Sequence, residues 1–367
     1  MSTTPHSEGT PSPHPGAAAT NIPAAVPYFP PPPPPRRKSV LGRLLFAFFI
    51  LVFLGSLFMN FVLGGLSASL LVDGAPRVQE KFVSHDHKAV DKVAILPIEG
   101  VILESDDGFI KRAIDTAEQD KNVKALVLRV DSPGGSVTGS DYIYHHLCKL
   151  AESRKIPIVV SMGGMAASGG YYVSMAVGQE PDTIFAEPTG FTGSIGVIIP
   201  HYNLAGLLEN KIVDDSIASN ELKKMGGMTK PMSPEEKKIF QALVDESFAH
   251  FKEVVRSGRA KFDKDPAALD KLATGQIYTA EQAVKNGLID KLGFVEDAVD
   301  RAIELANLDK DKVKVVRYKQ EPSLSSILLG GQTQSAASVD FKALLEMTTP
   351  RAYYLVSFMP ALAGAAK

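Results

Sequence analysis

Ser168 stands in Ser161-Met-Gly-Gly-Met-Ala-Ala-Ser-Gly-Gly-Tyr-Tyr172, one hydroxyl among glycines and alanines directly after an apolar, β-type run. Small neighbours let a peptide backbone approach the hydroxyl closely, which a serine nucleophile requires. Upstream, Arg129-Val-Asp-Ser-Pro-Gly-Gly135 is a turn whose glycine N–H groups can face a developing oxyanion. Together the two segments point to acyl transfer. Taken alone, the Ser168 segment also fits a tight strand-to-helix turn in which the serine merely caps the helix and the glycines allow close packing. If a helix starts here, its first N–H groups favour negative charge, and Gly169 N–H is placed to donate to an oxyanion. The Gly163 to Gly170 spacing also suits a phosphate-binding loop, but no Lys-Ser or Lys-Thr pair follows the last glycine, which argues against nucleotides.

A serine of this kind needs a base. No motif links a histidine to Ser168: His145 and His146 are adjacent and face different sides of a helix, His201 is isolated, and His250 lies in a polar helix. His85 and His87 offer two metal ligands without a third, and His-Glu-x-x-His is absent, so neither a metal nor a cofactor is expected. Cys148 is the only cysteine, which excludes an intramolecular disulfide and a cysteine cage; beside Leu147 and Leu150 it reads as packing. The net charge of -2, with one basic cluster near residue 36, gives no footprint for nucleic acid.

The 367 residues leave room for about two domains, or for one α/β core with tails. Residues 1–43 form a Pro-rich arm containing the run Pro30 to Pro35, expected to be disordered and cytoplasmic. After Arg36, Arg37, Lys38 and Arg43, residues 44–72 carry no charged side chain, and about 20 apolar residues suffice to cross a bilayer. The run is too long for the apolar region of a cleaved signal peptide, so an uncleaved anchor is expected. Basic residues on the N-terminal flank predict a single pass of the cytoplasmic membrane, with the N-terminus inside and everything past about residue 73 outside.

Residues 73–90 read as a juxtamembrane linker, 91–320 as the catalytic domain, and 321–367 as a linker and C-terminal tail. Within the domain, Val93-Ala-Ile-Leu-Pro-Ile, Ala125-Leu-Val-Leu-Arg-Val, Ile156-Pro-Ile-Val-Val-Ser and Asp182-Thr-Ile-Phe-Ala read as strands, with Val313-Lys-Val-Val-Arg-Tyr as the last. Helices are predicted over 108–119, 137–153 and 166–178, over 234–258 with Ser233 as cap and Pro234 in the first turn, and from Thr279 to Asn286 with Gly287 as its stop. Alternating strands and helices predict parallel pairing with crossover helices.

Arg129-Val-Asp-Ser-Pro-Gly-Gly, Met165-Ala-Ala-Ser-Gly-Gly-Tyr-Tyr and Thr192-Gly-Ser-Ile-Gly-Val, in that order, resemble the signal peptide peptidase A, or protease IV, family. The likeness runs from about residue 90 to 305 and includes Ala273-Thr-Gly-Gln-Ile-Tyr-Thr-Ala-Glu-Gln-Ala and Gly287-Leu-Ile-Asp-Lys-Leu-Gly-Phe. It implies the short, single-copy form of the family and a crotonase/Clp-protease-like spiral of βαβ units, an α/β fold behind an N-terminal transmembrane helix. It also implies a lysine base. In Ala218-Ser-Asn-Glu-Leu-Lys-Lys224 the matching residue is Lys223, or Lys224 if the register slips by one. By the same resemblance Ser194 coordinates the lysine and Gly135 supplies the second oxyanion N–H, with Gly134 as the alternative. A general-base lysine must be neutral, so its pKa has to fall from ~10.4 to about 7 or 8, a shift of ~4 kcal/mol that requires burial.

The expectation is thus a membrane-anchored serine endopeptidase with a Ser168–Lys223 dyad, acting through an acyl-enzyme on apolar remnants of signal peptides. Its protomers are expected to form a homo-oligomeric ring with shared active sites. The alternatives are a related protease acting on membrane or envelope proteins, and an inactive anchored scaffold of the same fold.

Overall fold

The computed structural model describes residues 40–72, 78–103, 108–208, 214–321 and 352–355. The chain divides into two units at Gly65. The Pro-rich arm, Arg36 to Lys38 and most of the predicted tail lie outside the described residues.

The first unit is the helix α1 (Val40–Val72). Its stretch Val40–Gly65 has 26 residues and a mean hydropathy of 2.4. At 1.5 Å per residue such a stretch is about 39 Å long, more than the ~30 Å of a bilayer core. From Leu44 to Leu63 its Leu, Phe and Val side chains stand exposed.

The second unit begins with β1 (Val78–His85), β2 (Asp91–Glu99), α2 (Phe109–Gln119), β3 (Val123–Ser132), β4 (Gly134–Ser136) and α3 (Val137–Arg154). Then come β5 (Ile158–Ala167), α4 (Gly169–Ser174), β6 (Ile184–Ala186), β7 (Phe191–Gly193), α5 (Ala205–Leu208), α6 (Pro234–Gly258), α7 (Ala260–Lys264) and α8 (Pro266–Leu272). The described chain closes with β8 (Ile277–Thr279), α9 (Ala280–Asn286), β9 (Lys291–Leu292), α10 (Val295–Leu305), β10 (Val313–Gln320) and β11 (Tyr353–Leu355).

The main sheet has the order β1-β10-β2-β3-β5-β6-β9, and every pair except β1 with β10 is parallel. Its central strands are apolar throughout because both faces are covered. Val93, Ile95, Ala125 and Val127 face α10 and its Ala298, Val299 and Ala302. Ala94, Leu96, Leu126 and Leu128 belong to the opposite core with Leu147, Tyr171, Tyr172 and Phe251. Cys148 is half-buried against that second core. The mixed α/β fold with a parallel-rich sheet and one N-terminal apolar helix is the one the sequence predicts.

β5 changes partners along its length. Val160 to Met162 pair with β6, whereas Met165 to Ala167 pair with β7, which in turn pairs with β8. The strand therefore continues through Gly163 and Gly164 to Ala167, and the helix expected from residue 166 starts only at Gly169. Residues 78–85, inside the predicted linker, form an edge strand on β10, tied down by Lys92 Nζ to Glu80 at 2.7 Å. Tyr353–Leu355, inside the predicted tail, pairs with β4.

Candidate active site

β5 ends at Ala167 and the chain turns at Ser168 into α4. Ser168 is held at φ 55° and ψ -114°, a conformation that costs a residue with a Cβ of order 1–3 kcal/mol. Two backbone bonds hold the turn. Ser168 N–H donates to the Gly193 carbonyl at 2.8 Å, and the Ser168 carbonyl accepts from Tyr172 N–H at 2.9 Å. A strained strand-to-helix elbow of this kind lifts a side chain clear of both elements.

The Ser168 hydroxyl is buried and has no hydrogen-bond partner among the described residues. Neighbouring serines are tied. Ser132 Oγ accepts from Gly134 N–H, Ser136 Oγ from Gly139 N–H and Ser161 Oγ from Arg129, while Ser140 and Ser174 donate to carbonyls. Ser168 sits at the N-cap position of α4, yet its side chain makes no capping bond. A buried hydroxyl left unpaired costs about 1–3 kcal/mol, so the packing explanation leaves this group unaccounted for, while a nucleophile awaiting a substrate accounts for it.

The glycine turn closes against this elbow. A Cβ on Gly169 would stand 3.1 Å from both Gly134 Cα and Gly135 N, and a Cβ on Gly134 would stand 2.7 Å from Gly169 N. Only glycines allow that approach, and it brings the two predicted oxyanion donors side by side at Ser168. Gly134 N–H is engaged by Ser132 Oγ at 3.1 Å, which favours Gly135 over Gly134 as the second donor. Gly170 is equally constrained, since a Cβ there would lie 2.8 Å from the Ser132 carbonyl oxygen and 3.3 Å from Ser132 Cβ. Gly170→Ala is therefore expected to lower stability by about 1–3 kcal/mol, read from a urea unfolding curve.

Ser194 is buried, at φ 51°, with its N–H on the Gln276 carbonyl at 2.7 Å. It follows Gly193, whose carbonyl holds Ser168 N–H, so it lies beside the elbow. Lys223 lies elsewhere on the chain, in a 3₁₀ turn over Glu221–Lys224 that the Asn220 side chain caps by accepting from Leu222 N–H at 2.9 Å. Lys223 is exposed and Lys224 half-buried. Both line a surface cavity of about 510 Å³ walled by residues between Asp214 and Lys230, and Ser168 is not part of that wall. Within one chain, then, the serine and the glycines converge, and the lysines stand apart.

The segment bearing the lysines is braced. Leu204 N–H donates to the Met228 carbonyl at 2.8 Å, Thr229 Oγ1 to Asp214 at 3.0 Å, and Lys230 Nζ to Glu236 Oε1 at 2.6 Å. Glu236 is buried at the start of α6, where it forms a reciprocal capping box with Ser233. The sequence shows the Ser233 cap but not this ion pair. The Lys230 ammonium, with Ser233 N–H, holds the Glu236 carboxyl below the usual glutamate range. Its folded pKa lies below its unfolded one, so the stabilisation is full above the ordinary glutamate range and disappears as pH falls through the folded value. Glu236→Ala is expected to cost about 1–2 kcal/mol at pH 7, with the gap to the parent closing below about pH 4 in thermal melts.

The histidines lead elsewhere. His250 Nε2 lies 3.3 Å from Asp141, and His201 Nε2 lies 3.3 Å from the Gly227 carbonyl. Neither reaches the unpartnered Ser168 hydroxyl.

Residues 151–309 match the model of Peptidase family S49. A protein of Synechocystis sp., provisionally named a protease, is 37% identical over 256 residues, which cover 70% of this chain and 89% of that protein. Protease 4 of Salmonella typhi is 36% identical over 239 residues, covering 64% of this chain and 36% of its own length. A protein of Enterococcus faecium, provisionally named signal peptide peptidase SppA, is 39% identical over 209 residues, 56% of this chain and 57% of its own.

Proposed function

The chain belongs to peptidase family S49, and from that membership we propose a membrane-anchored serine endopeptidase that works through a Ser168–Lys223 dyad. The observation that carries the reading is the buried, unpartnered Ser168 hydroxyl beside the converging N–H groups of Gly135 and Gly169. Ser168 Oγ adds to a peptide carbonyl, the two N–H groups hold the oxyanion, and the amine departs to leave an ester on the serine. Lys223 takes the hydroxyl proton, passes it to the leaving nitrogen, and then activates the water that hydrolyses the ester.

Exposure of Lys223 in the single chain is the reason to place the complete site in an assembly. A neighbouring protomer brings its lysine segment over Ser168 and buries it, and Ser194 then receives the ammonium or amine. The same logic gives a homo-oligomeric ring with shared sites, and Ser168 of one protomer works with Lys223 of the next.

α1 supplies the anchor, with its N-terminal flank in the cytoplasm and the catalytic unit on the far side of the cytoplasmic membrane. Substrates at that surface are apolar, extended and membrane-derived, a description that fits remnants of signal peptides. The test is digestion by the full chain in detergent micelles of synthetic signal peptides against a folded globular protein. Rapid cleavage of the peptides alone is expected; equal cleavage of both, or cleavage of neither, contradicts the substrate assignment.

A further inference from the structure

We infer that residues 352–355 occupy the peptide-binding groove in a cleavable register, so that the enzyme cuts its own chain between Tyr354 and Leu355; this rests on the serine-peptidase reading above. β11 runs antiparallel to β4, with Tyr353 opposite Ser136, Tyr354 opposite Gly135 and Leu355 opposite Gly134. On the other edge Tyr353 exchanges both backbone bonds with Ile198, at 2.9 and 3.0 Å. The tail is thus an extended strand gripped from both sides, the mode by which extended peptides are taken up by strand addition.

The register decides which bond is presented. Val137 N–H donates to the Ala352 carbonyl at 3.2 Å, and hydrogen-bonded pairs recur at every second residue of an antiparallel ladder. Gly135 and Tyr354 form the next such pair. The N–H assigned to the oxyanion therefore faces the Tyr354 carbonyl. Gly169 N converges on the same place, because a Cβ on Gly134 would overlap the Tyr354 carbonyl oxygen and lie 2.7 Å from Gly169 N. A carbonyl on both donors, next to a serine hydroxyl with no other partner, is the ground-state arrangement for acylation.

The Tyr354 side chain adds specificity. It is buried, stacked on Tyr172 at 5.0 Å between ring centroids and packed on Phe251 at 4.5 Å, and its hydroxyl donates to the Ser247 carbonyl at 2.9 Å. Tyr172 is held in turn by its own hydroxyl on Asp141 Oδ1 at 2.6 Å. Such a pocket selects a large aromatic with a polar tip at the residue whose carbonyl is attacked.

In the reaction, Ser168 Oγ bonds to the Tyr354 carbonyl carbon and its proton passes to the lysine. The C–N bond to Leu355 breaks and the nitrogen takes that proton, releasing the segment from Leu355 onward. Water then hydrolyses the ester, leaving a carboxylate on Tyr354 and the hydroxyl restored on Ser168.

The test is intact-mass and C-terminal peptide mass spectrometry of the full chain in detergent micelles. The parent, Ser168→Ala, Tyr354→Ala and Tyr354→Asp are compared, and each is also assayed on a quenched peptide carrying Ala-Tyr-Tyr-Leu-Val-Ser. The parent is expected to end at Tyr354 and Ser168→Ala to stay whole. Both Tyr354 variants should trim at that bond roughly 100-fold more slowly or not at all, while still cleaving the added peptide. Cleavage of the peptide with the parent's own tail left intact, or trimming that persists in Ser168→Ala, overturns the inference and leaves the peptidase reading standing. A chain that cleaves neither its tail nor any peptide overturns the peptidase reading itself.

Discussion

Ser168→Ala is expected to lower kcat/KM for peptide hydrolysis by about 10⁴-fold or more while leaving the fold intact. The size of the loss follows from the chemistry, since without Oγ no acyl-enzyme forms and only the oxyanion donors and substrate binding remain. The stability of the variant distinguishes this account from a structural serine. A capping serine replaced by alanine loses about 1 kcal/mol. Ser168 makes no capping bond and its hydroxyl has no partner, so its removal also relieves an unsatisfied buried group. The melting temperature should therefore be unchanged or slightly raised. Ser136→Ala is the natural control, because that side chain accepts from Gly139 N–H at the start of α3 and its loss should lower the melting temperature.

Lys223→Ala is the second large effect, an expected loss of about 10³-fold or more in kcat with assembly preserved. Lys224→Ala should retain most activity, which fixes the register between the two. Both residues sit on the same capped 3₁₀ turn, so a merely local disturbance would act through either one. If the sites are shared between protomers, mixing Ser168→Ala with Lys223→Ala before assembly should restore part of the activity that each lacks alone. Activity that stays absent in the mixed assembly would place both residues of a site on one chain. Equal losses from Lys223→Ala and Lys224→Ala would remove Lys223 from the role of base.

Much of the fold is legible because its central strands carry their own signal. Val93 to Ile98 and Ala125 to Val130 are continuous apolar runs since helices cover both faces, and such runs stand out without a partner. α6 and α9 announce themselves through Ser233 and Thr279, each of which closes a capping box. β4 has no such signal: its Gly134 and Gly135 are shaped by contacts with Ile102 and Tyr354, and no propensity scale encodes them. β1 is an exposed edge strand whose identity comes from its partner β10 rather than from an alternating pattern of its own.

The site divides along the same line. Ser168 and its glycines are local, so small residues in one segment suffice to point to them. The meeting of Gly135 with Gly169 depends on β3 and β5 lying side by side, and only their neighbouring order hints at it. Tyr354 was invisible as a functional residue because its partners, Tyr172, Phe251 and the Ser247 carbonyl, are distant in sequence. A run of three β-type residues in a tail of small residues was its one trace.

The central claim is a covalent intermediate on Ser168, and it is tested most directly by acid-quenching the full chain in detergent during turnover of a peptide p-nitrophenyl ester and mapping the added mass. The account predicts the acyl group on the peptide containing Ser168, accumulating when Lys223 is replaced and water activation is slowed, and absent from Ser168→Ala. Steady hydrolysis with no adduct, or an adduct on any other residue, would contradict it.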